Sequence, residues 1–265
     1  MVVDLRVDGR VAHLTLARPG ARNTIDLTLA RELHEATTEI SEDDSVGAVI
    51  LSGQGDTFCM GGDLRSFASV DDLPAHLREV THHLHAALDS LARMAPPVIA
   101  AVRGFAAGAG LGLACAADIV LAGTSARFLS AYTNVGLTPD GSTSWSLPRL
   151  VGMRRALELV LTNRVLDANE AAQWGIATRV VADEALDEEA LALATTLADG
   201  ATSALGGAKR LVRGSFARTL EVQLQLETEI LAAAAATNQG REGVVAFIEK
   251  RPPKFNEKFN KGSNS

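Results

Sequence analysis

The chain has 265 residues, 47% of them hydrophobic and 22% charged, enough apolar mass for one large buried core with or without an appendage. Its formal charge of −7 argues against a sequence-independent grip on nucleic acid, and no run of about 18 uncharged apolar residues is present to cross a membrane. Cys59 and Cys115, each among small or apolar neighbours, read as buried thiols of a reducing compartment; with Asp4, Arg6 and Asp8 inside the first apolar segment there is no secretory signal, so the cytoplasm is the expected location.

Residues 2–16 alternate apolar and polar on either side of Asp8-Gly9-Arg10, which predicts a β-hairpin with a glycine turn. Leu29, Leu33, Ala36 and Ile40 set a helical period over 27–40, and 48–53 is a short apolar strand that ends in a loop over 56–64. Leu77, Val80, Leu84, Leu88 and Leu91 predict a helix over 75–94. The run from Pro97 to Val102, bounded by Gly104, reads as a strand buried on both faces. Short strands follow over 119–122 and 126–129. This βα-rich pattern continues to about residue 182, and 1–185 is expected to form the core. Beyond it strand signals stop. Helices over 187–199, 203–213, 219–237 and 241–249 give a helical region 186–252, closed by Pro252-Pro253 and followed by a polar tail at 253–265.

The most informative stretch is Gly108-Ala109-Gly110-Leu111-Gly112, between the buried strand and an Ala/Leu helix. A dinucleotide fingerprint would need glycine at Leu113. A phosphate loop would need a Gly-Lys pair, and no lysine lies between Arg65 and Lys209. Two uses remain open: free amides at a helix start stabilising an oxyanion, or glycines that only permit close helix–sheet packing.

Three stretches occur together in one order: Phe58-Cys59-Met60-Gly61-Gly62-Asp63-Leu64, Gly108-Ala109-Gly110, and Val135-Gly136-Leu137-Thr138-Pro139-Asp140. With weaker echoes at Arg18-Pro19, Asn23, 147–152, 171–175 and 246–251, nearly the whole chain resembles the crotonase (enoyl-CoA hydratase/isomerase) superfamily. The resemblance implies an α/β fold of the ClpP/crotonase type, a spiral of ββα turns with a C-terminal helical oligomerisation region, assembled as trimers or hexamers. It also implies an acyl-CoA substrate whose thioester oxygen lies between the amides of Gly62 and Ala109. Arg22, Asn23, Met60, Gly61, Asp63, Leu64, Arg65 and Gly108 match the substrate-binding set, and Phe247 and Lys250 match residues that reach a neighbouring subunit's CoA. No metal and no cofactor beyond the substrate's own CoA is expected. On residue type alone, Asp63 is as well read as a helix cap, Arg65 as a solvated cation and Phe247 as core.

The family's hydratases use two glutamates, and this chain has Gly112 and Tyr132 at the matching positions. Asp140 instead matches the aspartate of ring-1,2-epoxyphenylacetyl-CoA isomerases and the nucleophile of 4-chlorobenzoyl-CoA dehalogenases, and His85 matches the latter's water-activating histidine. A Pro-Asp-Gly turn and a histidine cluster at 82–85 explain the same residues without chemistry. The favoured expectation is movement of a double bond in an enoyl-CoA by an Asp140 proton shuttle. Hydratase-like activity, Asp140-nucleophile hydrolysis or dehalogenation of an aryl-CoA, and a non-catalytic acyl-CoA-binding scaffold are the alternatives.

Overall fold

The computed structural model describes residues 1–256. Strands β1 (Val3–Asp8) and β2 (Val11–Leu16) form the predicted hairpin, antiparallel with Val3 opposite Leu16. After α1 (Leu27–Glu42) come β3 (Ala48–Gly53), α2 (Leu64–Phe67), α3 (Leu73–Arg93), β4 (Val98–Val102), β5 (Phe105–Ala107) and α4 (Ala109–Ala116). Then follow β6 (Ile119–Gly123), β7 (Arg127–Leu129), α5 (Thr143–Val151), α6 (Met153–Thr162), β8 (Leu166–Asp167), α7 (Ala168–Trp174) and β9 (Arg179–Val181). The chain closes with α8 (Leu186–Ala198), α9 (Thr202–Gly214), α10 (Leu220–Ala236) and α11 (Asn238–Ile248).

A six-stranded sheet runs β1-β2-β3-β4-β6-β9, parallel from β2 onward, beside a small sheet β5-β7-β8. Successive segments repeat one course: a strand in the large sheet, a step into the small one, then a helix. The steps are Ile25 bridged to Gly62 after β2, Cys59 bridged to Ala106 after β3, β5 after β4, and β7 after β6. Four such turns make a spiral. The step at β5 falls on a stretch whose glycines read as a turn, because Phe105-Ala106-Ala107 is too short to show a strand period.

The large sheet is apolar on both faces, as its Val/Ile runs require. Val49, Leu51, Val98 and Ala100 face α1 and α3, while Ala48, Ile50, Ile99, Ala101 and Leu121 face Leu186, Ala190, Ala194 and Ala198 of α8. α8 therefore belongs to the core layer, although its sequence groups it with the helical region. Its small residues at every fourth position are what let it lie close to the sheet. The helices after it differ. α9 has no buried residue and α10 only Ile230, while Phe216, Leu231, Phe247 and Ile248 are each more than 70% exposed. The end of the described chain folds back, with Lys254 N–H donating to Glu242 and Asn256 Nδ2 to the Ala198 carbonyl (3.1 Å); residues 257–265 of the polar tail lie outside the described residues. No helix among them is long and apolar enough to cross a membrane.

Candidate active site

The loops that leave the large sheet converge at the start of α4. Ile25 N–H donates to the Gly61 carbonyl at 2.7 Å and Asp63 N–H to the Ile25 carbonyl at 2.9 Å, which pins the strip 60–63 on both sides of Gly62. The Gly62 N–H itself has no acceptor among the described residues. The Ala109 N–H, in the first turn of α4, has no preceding carbonyl to take it. A Cβ at Gly61 would lie 3.4 Å from the Ala109 nitrogen and 2.8 Å from the Ala107 carbonyl, so the two donor segments run against one another. Ala109 has an ordinary negative φ, and its methyl is unstrained.

The neighbouring glycines of the stretch serve a chain turn and close packing. Gly108 turns the chain at φ +53°. Gly110 and Gly112 serve close approach: a Cβ at 110 would meet the Cys59 carbonyl at 2.3 Å, and one at 112 the Gly141 carbonyl at 2.1 Å.

That second contact brings in the acid. The Asp140 carbonyl accepts from Thr143 N–H at 2.9 Å, closing the predicted turn, and a Cβ at Gly141 would sit 3.6 Å from Ala109 Cα. The Tyr132 hydroxyl donates to Asp140 Oδ1 at 2.5 Å. Burial, and then the charge on Asp140, push the Tyr132 phenol above its ordinary range, so it stays a protonated donor. Gly141 N–H donates to His85 Nε2 at 3.3 Å, and Nε2 lies 4.0 Å from Asp140 Oδ2.

Non-glycine residues with positive φ cluster here: Arg22 (+53°), Asn23 (+54°), Ala131 (+65°) and Ser142 (+65°). Backbone held in such conformations is characteristic of functional loops. Ala131, Ser142 and the buried, unpartnered hydroxyl of Ser130 are site features that the sequence did not single out. Nothing in their residue types signals them, since the strain arises from loops packed far apart in sequence.

Two predicted binding residues have other work. Asn23 is wholly buried, its Oδ1 accepting from Arg18 N–H (2.9 Å) and its Nδ2 donating to the carbonyls of Gln54 (3.0 Å) and Thr57 (2.7 Å). Its side chain staples loops and has no face left for a ligand. Asp63 caps α2 through Ser66 N–H and pairs with Arg18 at 3.1 Å. Burial opposes its charged form, but the Ser66 amide and Arg18 outweigh that and hold the carboxyl below its ordinary value. Arg22, Leu64 and Arg65 are exposed at the rim, Arg22 with its guanidinium 5.7 Å from the Phe105 ring centre, and Met60 is half-buried beside them. Phe247 and Lys250 are exposed at the end of α11, which packs on α10, and no hydrogen bond of the site involves either. No cluster of three metal-ligating side chains exists among the described residues.

The enoyl-CoA hydratase/isomerase family profile matches residues 6–258. The chain belongs to that family. It is 38% identical to a 1,2-epoxyphenylacetyl-CoA isomerase of Escherichia coli (strain K12) over 254 residues, 95% of this chain and 97% of the relative. It is 34% identical to a 4-chlorobenzoyl coenzyme A dehalogenase-2 of an Arthrobacter species, over 91% of this chain and 88% of the relative. The crystal structure of an enoyl-CoA hydratase from Bacillus anthracis superimposes with a TM-score of 0.91 at 30% identity, covering 96% of this chain and all of the other. The spiral of this hydratase/isomerase family member is thus the crotonase fold.

Proposed function

We propose that this chain is an enoyl-CoA isomerase, moving a double bond between positions 3 and 2 of an acyl-CoA thioester. The thioester oxygen sits between the Gly62 and Ala109 amides, which hold the negative charge that develops when a proton leaves C2. Asp140, as carboxylate, takes that proton and returns it at C4, leaving the conjugated 2-enoyl thioester; no cofactor enters the balance. The observation that carries the reading is that position 112, facing Asp140's turn, has no acid. Hydration by the family's paired-acid route needs a second acid, and position 112 has no room for a side chain under the Gly141 carbonyl. Tyr132 serves as donor to Asp140 rather than as base.

The position of His85 supports a second reading, in which Asp140 is a nucleophile and His85 activates water against the acyl adduct. Against it, the Nε2 lone pair that would accept water's proton is already taken by Gly141 N–H. One pair of variants separates the two. Asp140→Asn is expected to cut isomerisation of a 3-enoyl-CoA by about 10²–10⁴-fold while leaving CoA binding near wild type. His85→Gln is expected to retain most activity. An Asp140 adduct seen in the intact mass of His85→Gln after mixing with 2-enoyl, 3-enoyl and aryl-CoA thioesters would defeat the isomerase reading. Full activity in Asp140→Asn would defeat both, and binding without turnover of any thioester would leave the scaffold. We further propose a homo-oligomer built on α9–α11, supported by the exposed Phe216, Leu231, Phe247 and Ile248, with Phe247 and Lys250 brought to a neighbour's CoA.

A further inference from the structure

Beyond the Asp140 turn, two cavities meet at Arg213. One, of about 420 Å³, is lined along α3 by His85, Leu88 and Ala92 and opposite by Ala116, Trp145 and Arg213. The other, of about 490 Å³, shares Trp145, Ser146 and Arg213 with it. At this junction two cations share one carboxylate. Lys209 Nζ lies 2.7 Å from Asp118 Oδ2, while Arg213 reaches Oδ1 through Nε (3.0 Å) and Nη2 (2.7 Å). Asp89, the other acid on the cavity wall, is taken by Arg93 at 2.7 Å. A positive charge is left over, and Arg213 Nη1 has no hydrogen-bond partner among the described residues. Arg149, stacked 4.0 Å over the Trp145 ring, adds a further cation beside it. Burial, against the pull of Asp118, holds the Lys209 ammonium below its ordinary value.

We propose that the α3 cavity receives the far end of the acyl group and that Arg213 selects acyl thioesters ending in a carboxylate. The inference rests on the acyl-CoA reading of the site. His85, which lines the cavity, also stands 4.0 Å from Asp140, so a chain whose thioester lies at the amides would pass the base and enter along α3. From His85 to Ala92 is about 10 Å of helix, which suits a chain of medium length. Its apolar middle lies on Leu88, Ala92, Ala116 and Trp145. A terminal methyl would leave the surplus cation facing hydrocarbon, whereas a carboxylate gives it a charge-assisted hydrogen bond.

The test is calorimetric titration with two saturated thioesters of equal length, hexanoyl-CoA and adipoyl-CoA. The wild type is expected to bind adipoyl-CoA at least about tenfold more tightly, and Arg213→Gln to lose that preference while keeping its Kd for hexanoyl-CoA. Because Arg213 also braces Asp118, Ala92→Phe serves as a second variant that fills the cavity and leaves the ion cluster intact; it should reduce both thioesters to one weaker affinity. Equal Kd values in the wild type, or a preference that survives both variants, overturn the inference. Binding of neither thioester defeats the acyl-CoA reading itself. An adipoyl preference in a protein that isomerises no 3-enoyl-CoA sinks the isomerase assignment and leaves this inference standing.

Discussion

Gly112→Ala is the most discriminating small change that the fold allows. Position 112 has a negative φ, so alanine adds no backbone strain there, and alanine is the better helix former by about 1 kcal/mol. On helix propensity alone the variant would be stabilised. The space says otherwise. The new Cβ would lie 2.1 Å from the Gly141 oxygen and 3.0 Å from both the Gly141 carbonyl carbon and Thr143 Oγ1. Ordinary carbon contacts begin near about 3.5 Å, so the carbonyl must retreat by more than an ångström. The loop that must move is tied by Asp140 to Tyr132, by Gly141 to His85 and by Thr143 to Asp140. Overpacking of this kind costs about 1–3 kcal/mol, which exceeds the propensity gain. An ångström of displacement at the base lowers turnover by about 10²-fold. Urea unfolding measures the first quantity, and initial rates on a 3-enoyl-CoA at saturating substrate measure the second. A variant as stable as the parent, with parental turnover, would show that the Asp140 turn is not held against α4 and would remove the reason given for the absence of a second acid.

Tyr132→Phe removes the donor that orients Asp140 without changing shape; a misplaced base costs up to about 10²-fold, so kcat should fall with little change in KM, and an unchanged kcat would make Tyr132 a mere wall. Glu242 accepts from Nη1 and Nη2 of Arg251, and these bonds with the Lys254 amide depress its carboxyl to about 2. Glu242→Gln should therefore melt below the parent at pH 7. That difference is complete above the ordinary glutamate value of about 4.3 and should vanish as pH falls toward 2; thermal melts across that window check it. Burial raises the Cys59 and Cys115 thiols to about 12, so iodoacetamide at neutral pH should leave the native protein unmodified and label it only in denaturant, and labelling of the native state would contradict the packing of α4.

Local pattern was a good guide to the elements and a poor one to their partners. The hairpin at Gly9, the strand at 48–53 and the helix along Leu77 to Leu91 follow from period and turn chemistry, which act over a few residues. β5 did not show, because three residues carry no period. α8 reads as one more amphipathic helix until its alanines are seen against Ala48 and Ile99. Gly62, Ala109 and Asp140 were singled out through family motifs, and the structure sets their chain neighbours Gly61 and Gly141 each against Ala109. Asn23 shows the limit: one polar residue on a loop looks the same whether it faces a ligand or, as here, ties three segments together out of solvent. Such ties are long-range facts, and short windows of sequence do not contain them.

The repeated course from large sheet to small sheet to helix separates what holds the molecule from what reacts in it. Each coil gives its strands to the frame and only its crossing loop to the chemistry, so neighbouring coils can be edited one at a time. Here the coil ending in α4 carries glycine at 112, and the loop of the next coil, with Asp140 in it, lies directly against that glycine. A catalyst built this way can change which atom of its substrate it deprotonates by moving a carboxylate from one storey to the next, while the staircase that carries both remains as it was.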